Sequence, residues 1–283
     1  MAEVATSATS EQLLVVIDPI ARRADGESVR IAKDVLSAGA ATKVCLPEGP
    51  EEFARALQRR GSRRPVVVGD DRTLVRAVSL LHRQRELAGC VLSMVPVGGV
   101  LSLAGALGVP TGAVAAARAV LEGAERRLDL LVDDSDGVVL GALHIPPVPT
   151  AATADGEPGR TPWLRTYKSL RRTLVPARPA RETVTSAPGP SRLRVEVDGV
   201  TLVDLDQPVQ DISVTPRGSG TAAVEVHPAS VGAEAVPLLA RGRRVTVSGA
   251  DFRYRADAAE AGPVRRRTWT VWEGALGLTL PAG

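Results

Sequence analysis

Two short glycine-containing loops in the first third of the chain have residues suited to binding phosphate. Residues 69–73 read Gly-Asp-Asp-Arg-Thr after the apolar run 65–68, and residues 96–101 read Pro-Val-Gly-Gly-Val-Leu after the apolar stretch 90–95. Glycine lets backbone N–H groups approach phosphate oxygens, and the N-terminus of a following helix favours negative charge. An aspartate in such a loop can hold Mg²⁺. The alternative is a plain strand-to-helix turn in which Asp71 or Thr73 caps the helix.

The elements around these loops alternate between strand and helix patterns. Apolar runs predict strands at 13–17, 42–46, 65–68 and 90–95, and amphipathic spacing predicts helices at 28–36, 51–60, 74–87 and 113–123. This alternation is typical of a parallel sheet covered on both faces. Ligands of such sheets bind beyond the carboxyl ends of the strands, where the loops begin at Asp18, Gly69 and Pro96.

Residues 87–117 contain no charged side chain, although the stretch is long enough to cross a membrane. Two prolines and five glycines interrupt it between residues 96 and 112. Such residues punctuate a strand, a glycine loop and a helix better than they suit one continuous helix. We therefore predict that the stretch belongs to a buried α/β core.

The composition changes after about residue 145. Residues 146–190 are rich in Pro, Ala, Thr and Arg and carry seven basic and three acidic side chains, which predicts a linker. Within it, residues 162–174 fit a basic amphipathic helix that either packs against its own domain or lies on a membrane. From residue 193 the hydrophobic period becomes two, and seven or eight short strands predict an antiparallel β-sandwich.

The sequence thus predicts an α/β + β architecture: an N-terminal α/β domain with a parallel sheet (11–145), a linker with a basic helix (146–190) and an antiparallel β-sandwich domain (191–283). Aromatic residues make up only 2% of the chain, and the Arg excess is spread out rather than gathered in one stripe, which argues against a nucleic-acid partner. Cys45 and Cys90 lack CxxC spacing and are expected to be free thiols in a cytoplasmic protein.

Taken in order, the motifs resemble the bacterial diacylglycerol kinase family of lipid kinases. Asp18-Pro19 stands where the family has Asn-Pro, residues 69–73 match G-G-D-G-T, and residues 96–101 match P-x-G-T-G-N. Residues 106–110 (Ala-Leu-Gly-Val-Pro) match a segment "ALGIP", residues 126–130 match "R-x-x-D-L", and residues 252–259 stand at the D-G-E turn.

The resemblance implies ATP-dependent phosphorylation of a lipid hydroxyl, with diacylglycerol or another lipid alcohol as substrate and Mg²⁺ as cofactor. It implies that Gly69, Asp71, Thr73 and Gly98 bind the nucleotide and that Asp71 also organises Mg²⁺. Asp257 would be the general base on the lipid hydroxyl. A lipid substrate is compatible with peripheral contact at the inner membrane face.

Several positions depart from the family pattern. Asp70 and Arg72 replace glycines, Val100-Leu101 replaces Gly-Asn, and Ala259 stands in the place of the glutamate. Three hypotheses follow: an ATP-dependent lipid kinase, a catalytically impaired member (a pseudokinase) that binds nucleotide, phosphate or lipid, or a protein that binds a different phosphorylated ligand through Arg72.

Overall fold

A parallel sheet and its flanking helices form the first part of the molecule. The computed structural model describes residues 12–146, 190–229 and 236–282. In chain order the first elements are β1 (Gln12–Ile17), α1 (Pro19–Ala24), α2 (Gly26–Gly39), β2 (Ala41–Cys45), α3 (Pro50–Gln58), β3 (Arg64–Gly69), α4 (Asp71–Arg83), β4 (Val91–Pro96), α5 (Ser102–Ala106), α6 (Ala113–Glu122) and β5 (Ala124–Asp133).

Strands β4, β3, β1 and β2 lie side by side in that order and are all parallel. Alternate side chains of β1 enter two separate cores: Leu14 and Val16 join one cluster, while Leu13, Val15 and Ile17 join the other. A strand that is apolar at every position can be stable only where both faces of the sheet are covered. The predicted doubly covered parallel sheet is therefore confirmed.

The four predicted helices are present as α2, α3, α4 and α6, with boundaries shifted by a few residues. Their apolar faces are buried, as Leu36 of α2, Phe53 of α3 and Leu81 of α4 illustrate. The short helix α1 was not predicted from the sequence. It begins because Asp18, its N-cap, accepts a hydrogen bond from the N–H of Ile20 and because Pro19 suits the first helical position.

The uncharged stretch 87–117 is divided among β4, α5, α6 and their connections, as expected. Leu92 and Met94 of β4 and Ala116 of α6 are fully or almost fully buried. Over the described ranges, no helix combines the length and the apolar character needed to cross a bilayer.

The rest of the described chain is β-structure and is largely antiparallel, which confirms the predicted fold class. Its strands are β6 (Val138–Val139), β7 (Leu143–Ile145), β8 (Leu193–Val197), β9 (Val200–Val203), β10 (Val209–Pro216), β11 (Ala222–Pro228), β12 (Leu238–Gly242), β13 (Arg244–Ala256) and β14 (Ala259–Leu280). Their buried side chains form a third core, in which Trp269 is fully buried and packs edge-on against Tyr254, with ring centroids 5.2 Å apart.

The number and length of these strands differ from the sequence prediction. Predicted strands at 244–247 and 252–256 are one strand, β13, and those at 268–271 and 276–280 are both parts of β14. The reason is that β-bulges, such as the register shift between Ser248 and Phe252, absorb the irregular residues without ending the strand. β12 was not predicted.

The last residues of β14 extend the N-terminal sheet rather than remaining within the β-region. Gly277 and Leu278 pair in parallel with β4. β14 also pairs antiparallel with β5, from Trp269 opposite Asp133 to Leu280 opposite Ala124. All described residues belong to one compact unit. The division into domains at 11–145 and 191–283 stays a prediction, and the predicted linker helix at 162–174 lies outside the described residues.

Candidate functional site

Three chain segments form the candidate site: the first loop (residues 69–73), the second loop (residues 96–101) and the C-terminal turn between β13 and β14 (residues 257–258). The two loops meet because β3 and β4 are adjacent parallel strands, with Gly69 paired to Pro96. The N–H of Val97 donates to the carbonyl of Gly69 at 2.8 Å, and the N–H of Asp71 donates to the carbonyl of Val100 at 3.1 Å.

Within the first loop, Asp70 is the N-cap of α4. Its Oδ1 accepts hydrogen bonds from the N–H of Thr73 at 3.0 Å and from the Thr73 hydroxyl at 2.9 Å. The sequence-based alternative of a capped strand-to-helix turn is therefore present, but the capping residue is Asp70 rather than Asp71 or Thr73. Gly69 is also constrained, since a Cβ there would lie 2.6 Å from Thr73 Oγ1.

Asp71 is almost completely buried and accepts hydrogen bonds at both carboxylate oxygens. Oδ2 accepts from the N–H of Leu103 at 2.8 Å and from the Ser102 hydroxyl at 3.3 Å, and Oδ1 accepts from the N–H of Ala104 at 3.0 Å. The N-cap residue of α5, Leu101, makes no side-chain cap of its own. Asp71 thus caps α5 from a neighbouring segment and satisfies two N–H groups that would otherwise lack an acceptor.

Asp257 lies in the C-terminal turn, with a positive φ of 49°. Its carboxylate accepts three backbone hydrogen bonds from the connection between β6 and β7: Oδ2 from Leu140 at 2.7 Å, and Oδ1 from Gly141 at 2.7 Å and Ala142 at 3.1 Å. The turn is further fixed by the N–H of Asp257, which donates to the carbonyl of Ala142 at 2.9 Å.

The structure brings Asp71 and Asp257 into the same neighbourhood. Leu103 connects them, because its N–H binds Asp71 and a Cβ on Gly141 would lie 2.6 Å from its Cδ1. Burial raises the pKa of the Asp257 carboxyl; the three backbone N–H donors oppose that rise, and the charge of Asp71 adds to it. The two carboxylates are therefore electrostatically linked inside a poorly hydrated region.

The other predicted site residues have different surroundings. Gly98 has a φ of +131°, and a Cβ there would lie 3.3 Å from the Cβ of Asp70, so the second loop needs glycine at this position. Thr73 is buried against Asp70. Arg72 is exposed, and its side chain forms no hydrogen bond or ion pair with any residue the structure describes.

Sequence reasoning missed an ion pair at the same edge of the sheet. Asp18 is buried at the end of β1, and its Oδ2 lies 3.0 Å from Nη1 of Arg76, which projects from α4. The Arg76 guanidinium also stands 5.8 Å from the centre of the Phe53 ring. The only sequence signal was the acidic residue before Pro19, because nothing local indicates that α4 supplies its partner.

Two histidines lie close to one carboxylate in the β-region. His144 and His227 are both near Asp211. Burial raises the pKa of the Asp211 carboxyl, and the two histidines oppose that rise. Among the described residues, no group of three or more His, Cys, Asp or Glu side chains is arranged to hold a metal ion.

Residues 12–132 match the family model of the diacylglycerol kinase catalytic domain. Three solved structures from Bacillus anthracis str. Sterne share the fold, the first two provisionally described as diacylglycerol kinases and the third described as one. The first has a TM-score of 0.71 at 14% identity and covers 98% of each chain.

The second has a TM-score of 0.70 at 13% identity and covers 96% of this chain and 98% of its own. The third has a TM-score of 0.67 at 12% identity and covers 96% of this chain and 97% of its own. At these identities the likeness shows a shared fold over nearly the whole length. The curated protein sequences contain no match to this chain.

Proposed function

We propose that this chain is a catalytically impaired member of its family, which acts by binding a ligand rather than by transferring phosphate. The premise is that residues 12–132 belong to the diacylglycerol kinase catalytic domain family. One observation carries the proposal: two carboxylates and two backbone N–H groups that a Mg²⁺ ion or a phosphate would use in the matched motifs are already engaged by the protein itself.

The carboxylates are the first such groups. Asp71 directs both oxygens to N–H groups of α5, and Asp257 directs both oxygens to the connection between β6 and β7. A magnesium ligand must turn an oxygen toward the ion, and a general base must reach the proton that it abstracts. Either role would require these carboxylates to give up hydrogen bonds that hold the local structure together.

Two backbone donors of the first loop are similarly occupied. The N–H of Asp71 donates to the carbonyl of Val100, and the N–H of Thr73 donates to the side chain of Asp70. Phosphate-binding loops depend on such donors pointing into the ligand site. The substitution of glycine by Asp70 also adds negative charge where a phosphate would approach, and charge repulsion opposes its binding.

An active lipid kinase is the second candidate, and one observation favours it. The raised pKa of Asp257, next to a second carboxylate, is the kind of perturbation found in catalytic acids and bases. In that case ATP and Mg²⁺ would bind through Gly69, Asp71, Thr73 and Gly98, and Asp257 would accept the proton of a lipid alcohol such as diacylglycerol. A cytoplasmic enzyme in peripheral contact with the inner membrane face would suit that substrate.

Nucleotide binding and phosphate transfer separate the two candidates. A ligand present at a hundred times its Kd stabilises a fold by about 2.7 kcal/mol, which a thermal-shift assay detects readily. We expect millimolar Mg-ATP to leave the melting temperature unchanged and labelled ATP to transfer no phosphate to diacylglycerol in mixed micelles. Micromolar Mg-ATP affinity together with lipid phosphorylation would establish the kinase instead.

Restoring the family residues provides a matched gain-of-function variant. Asp70→Gly and Arg72→Gly in the first loop, combined with Val100→Gly and Leu101→Asn in the second, restore glycine where backbone must approach phosphate. The quadruple variant should gain measurable Mg-ATP binding, while lipid phosphorylation should stay weak until Ala259→Glu is added. If the quadruple variant folds but still does not bind Mg-ATP, these four residues are not what prevents nucleotide binding.

A further inference from the structure

The outer face of strands β8, β13 and β14 carries a polar patch that is separate from the glycine loops. Arg244, Thr246 and Ser248 alternate along β13 with Val245 and Val247, which face the core, so they share the outer face. Arg244 is exposed and Ser248 half-buried, whereas Thr246 is buried between them and its hydroxyl lies 3.0 Å from that of Thr268. Paired residues extend this face across the sheet: Thr246 pairs with Glu196 and Thr268, Ser248 with Arg194 and Arg266, and Arg244 with Thr270.

A surface cavity of about 510 Å³ lies on this face. Three arginines, Arg243, Arg244 and Arg266, line it together with the hydroxyl-bearing residues Thr246 and Thr270. The lining also includes Glu196, Asp198 and Gly199. Among the described residues, none that lines the cavity has an aromatic ring or a large apolar side chain.

The acidic residues of the cavity are satisfied locally, whereas the arginines are not. Asp198 accepts hydrogen bonds from the backbone N–H groups of Arg243 and Arg244 at 2.8 to 3.1 Å. Glu196 Oε1 lies 3.1 Å from Nε of Arg194. The guanidinium groups of Arg243, Arg244 and Arg266 make no ion pair within the described part of the chain. Their positive charge therefore remains available to a ligand.

We propose that this cavity binds a small, hydroxyl-bearing phosphate ester. The guanidinium groups would receive the phosphoryl oxygens, because their planar donor pairs match phosphate geometry. The Thr270 hydroxyl and Glu196 would contact the hydroxyl groups of the ligand. An acyl chain would find no apolar wall here and a nucleobase no ring to stack on, which favours a small polar ester over a lipid or a nucleotide. The site is independent of the first and second loops.

Calorimetric titration of the full chain at constant ionic strength tests the proposal, with glycerol 3-phosphate as the probe. Saturable binding is expected, together with weaker binding of inorganic phosphate and none of glycerol. The double variant Arg244→Ala/Arg266→Ala should bind glycerol 3-phosphate at least about tenfold more weakly, since charge-assisted hydrogen bonds are lost. If the alanine variant unfolds, Arg244→Gln/Arg266→Gln replaces it as the test, because glutamine removes the charge but keeps a polar, unbranched side chain.

The matched control removes two exposed arginines that do not line the cavity, Arg241→Ala/Arg253→Ala, and should leave binding unchanged. Arg72→Ala should also bind normally, which separates this site from the first loop. The proposal is overturned by absence of saturation up to about 20 mM probe or by equal losses in the cavity and control variants. Binding only to vesicles of phosphatidylcholine with phosphatidylglycerol would overturn it too, because it would identify a membrane surface as the ligand.

Discussion

Replacing Asp71 with alanine tests whether its carboxylate has a structural role or a metal-binding role. In the folded protein Asp71 is 1% exposed and accepts the N–H groups of Leu103 and Ala104, both of which are buried. A carboxylate held in place for a metal ion usually costs stability when the ion is absent, so its removal is neutral or stabilising. A carboxylate that caps a buried helix end has the opposite effect.

The expected loss follows from those two hydrogen bonds. A hydrogen bond to a charged group contributes about 1.5 to 3 kcal/mol, and removing its acceptor leaves a buried donor unsatisfied. Removing the buried charge recovers part of this cost, because Asp71 no longer has to be desolvated. We therefore expect Asp71→Ala to lower the free energy of unfolding by about 3 kcal/mol.

Urea denaturation followed by circular dichroism measures this difference. The neighbouring Arg72→Ala is the matched control, since Arg72 is exposed, and it should change stability by less than about 0.5 kcal/mol. The loss in Asp71→Ala should be the same with and without Mg²⁺. A loss below about 1 kcal/mol, or a wild-type stabilisation by Mg²⁺ that the variant lacks, would refute the structural role.

Three further predictions concern the surroundings of the site. Burial raises the pKa of Asp257 above its ordinary 3.8. The stability that Asp257 contributes is therefore complete below that value and is lost as pH rises through the folded pKa. Urea midpoints measured from about pH 4 to about pH 8 should show this decline in stability, and Asp257→Asn should abolish the decline. Gly141→Ala should lower the free energy of unfolding by about 1 to 3 kcal/mol, because the added Cβ would lie 2.6 Å from Leu103 Cδ1. Gly99→Ala is the control: its added Cβ would have no atom within 4 Å, so the loss in the same denaturation assay should be far smaller. Arg76→Ala should lower the free energy of unfolding by about 1 to 3 kcal/mol, because it leaves the Asp18 carboxylate buried without its charge partner. Adding Asp18→Asn should recover part of that loss, and additive losses in a double-mutant cycle would argue against the ion pair.

Much of the N-terminal fold could be predicted because its signals are local. The uninterrupted apolar residues of β1 and β3 require a sheet covered on both faces, and parallel strands place their following loops at one edge. The meeting of the first and second loops follows from that geometry. The alternation of apolar and polar residues after 193 likewise indicated antiparallel β-structure.

The use of each site carboxylate was decided by contacts that local sequence patterns do not contain. Asp71 binds N–H groups 32 and 33 residues away, and Asp257 binds those of residues 115 to 117 positions earlier. An aspartate in a glycine loop has the same local sequence whether it faces a metal ion or a helix terminus. The choice depends on where α5 and the β6–β7 connection lie in space.

The long strands β13 and β14 show the same difference between what local sequence patterns indicate and what tertiary contacts decide. Sequence periodicity detected their regular stretches but treated the irregular residues between them as ends, because a bulge and a turn look alike over a few residues. Only pairing with neighbouring strands carries β14 through to β4. The sequence by itself thus determined the type and order of most elements and the edge of the sheet where the loops lie. The tertiary structure decided which groups at that edge remain free to bind a ligand, because hydrogen-bond partners distant in the chain become neighbours only after folding.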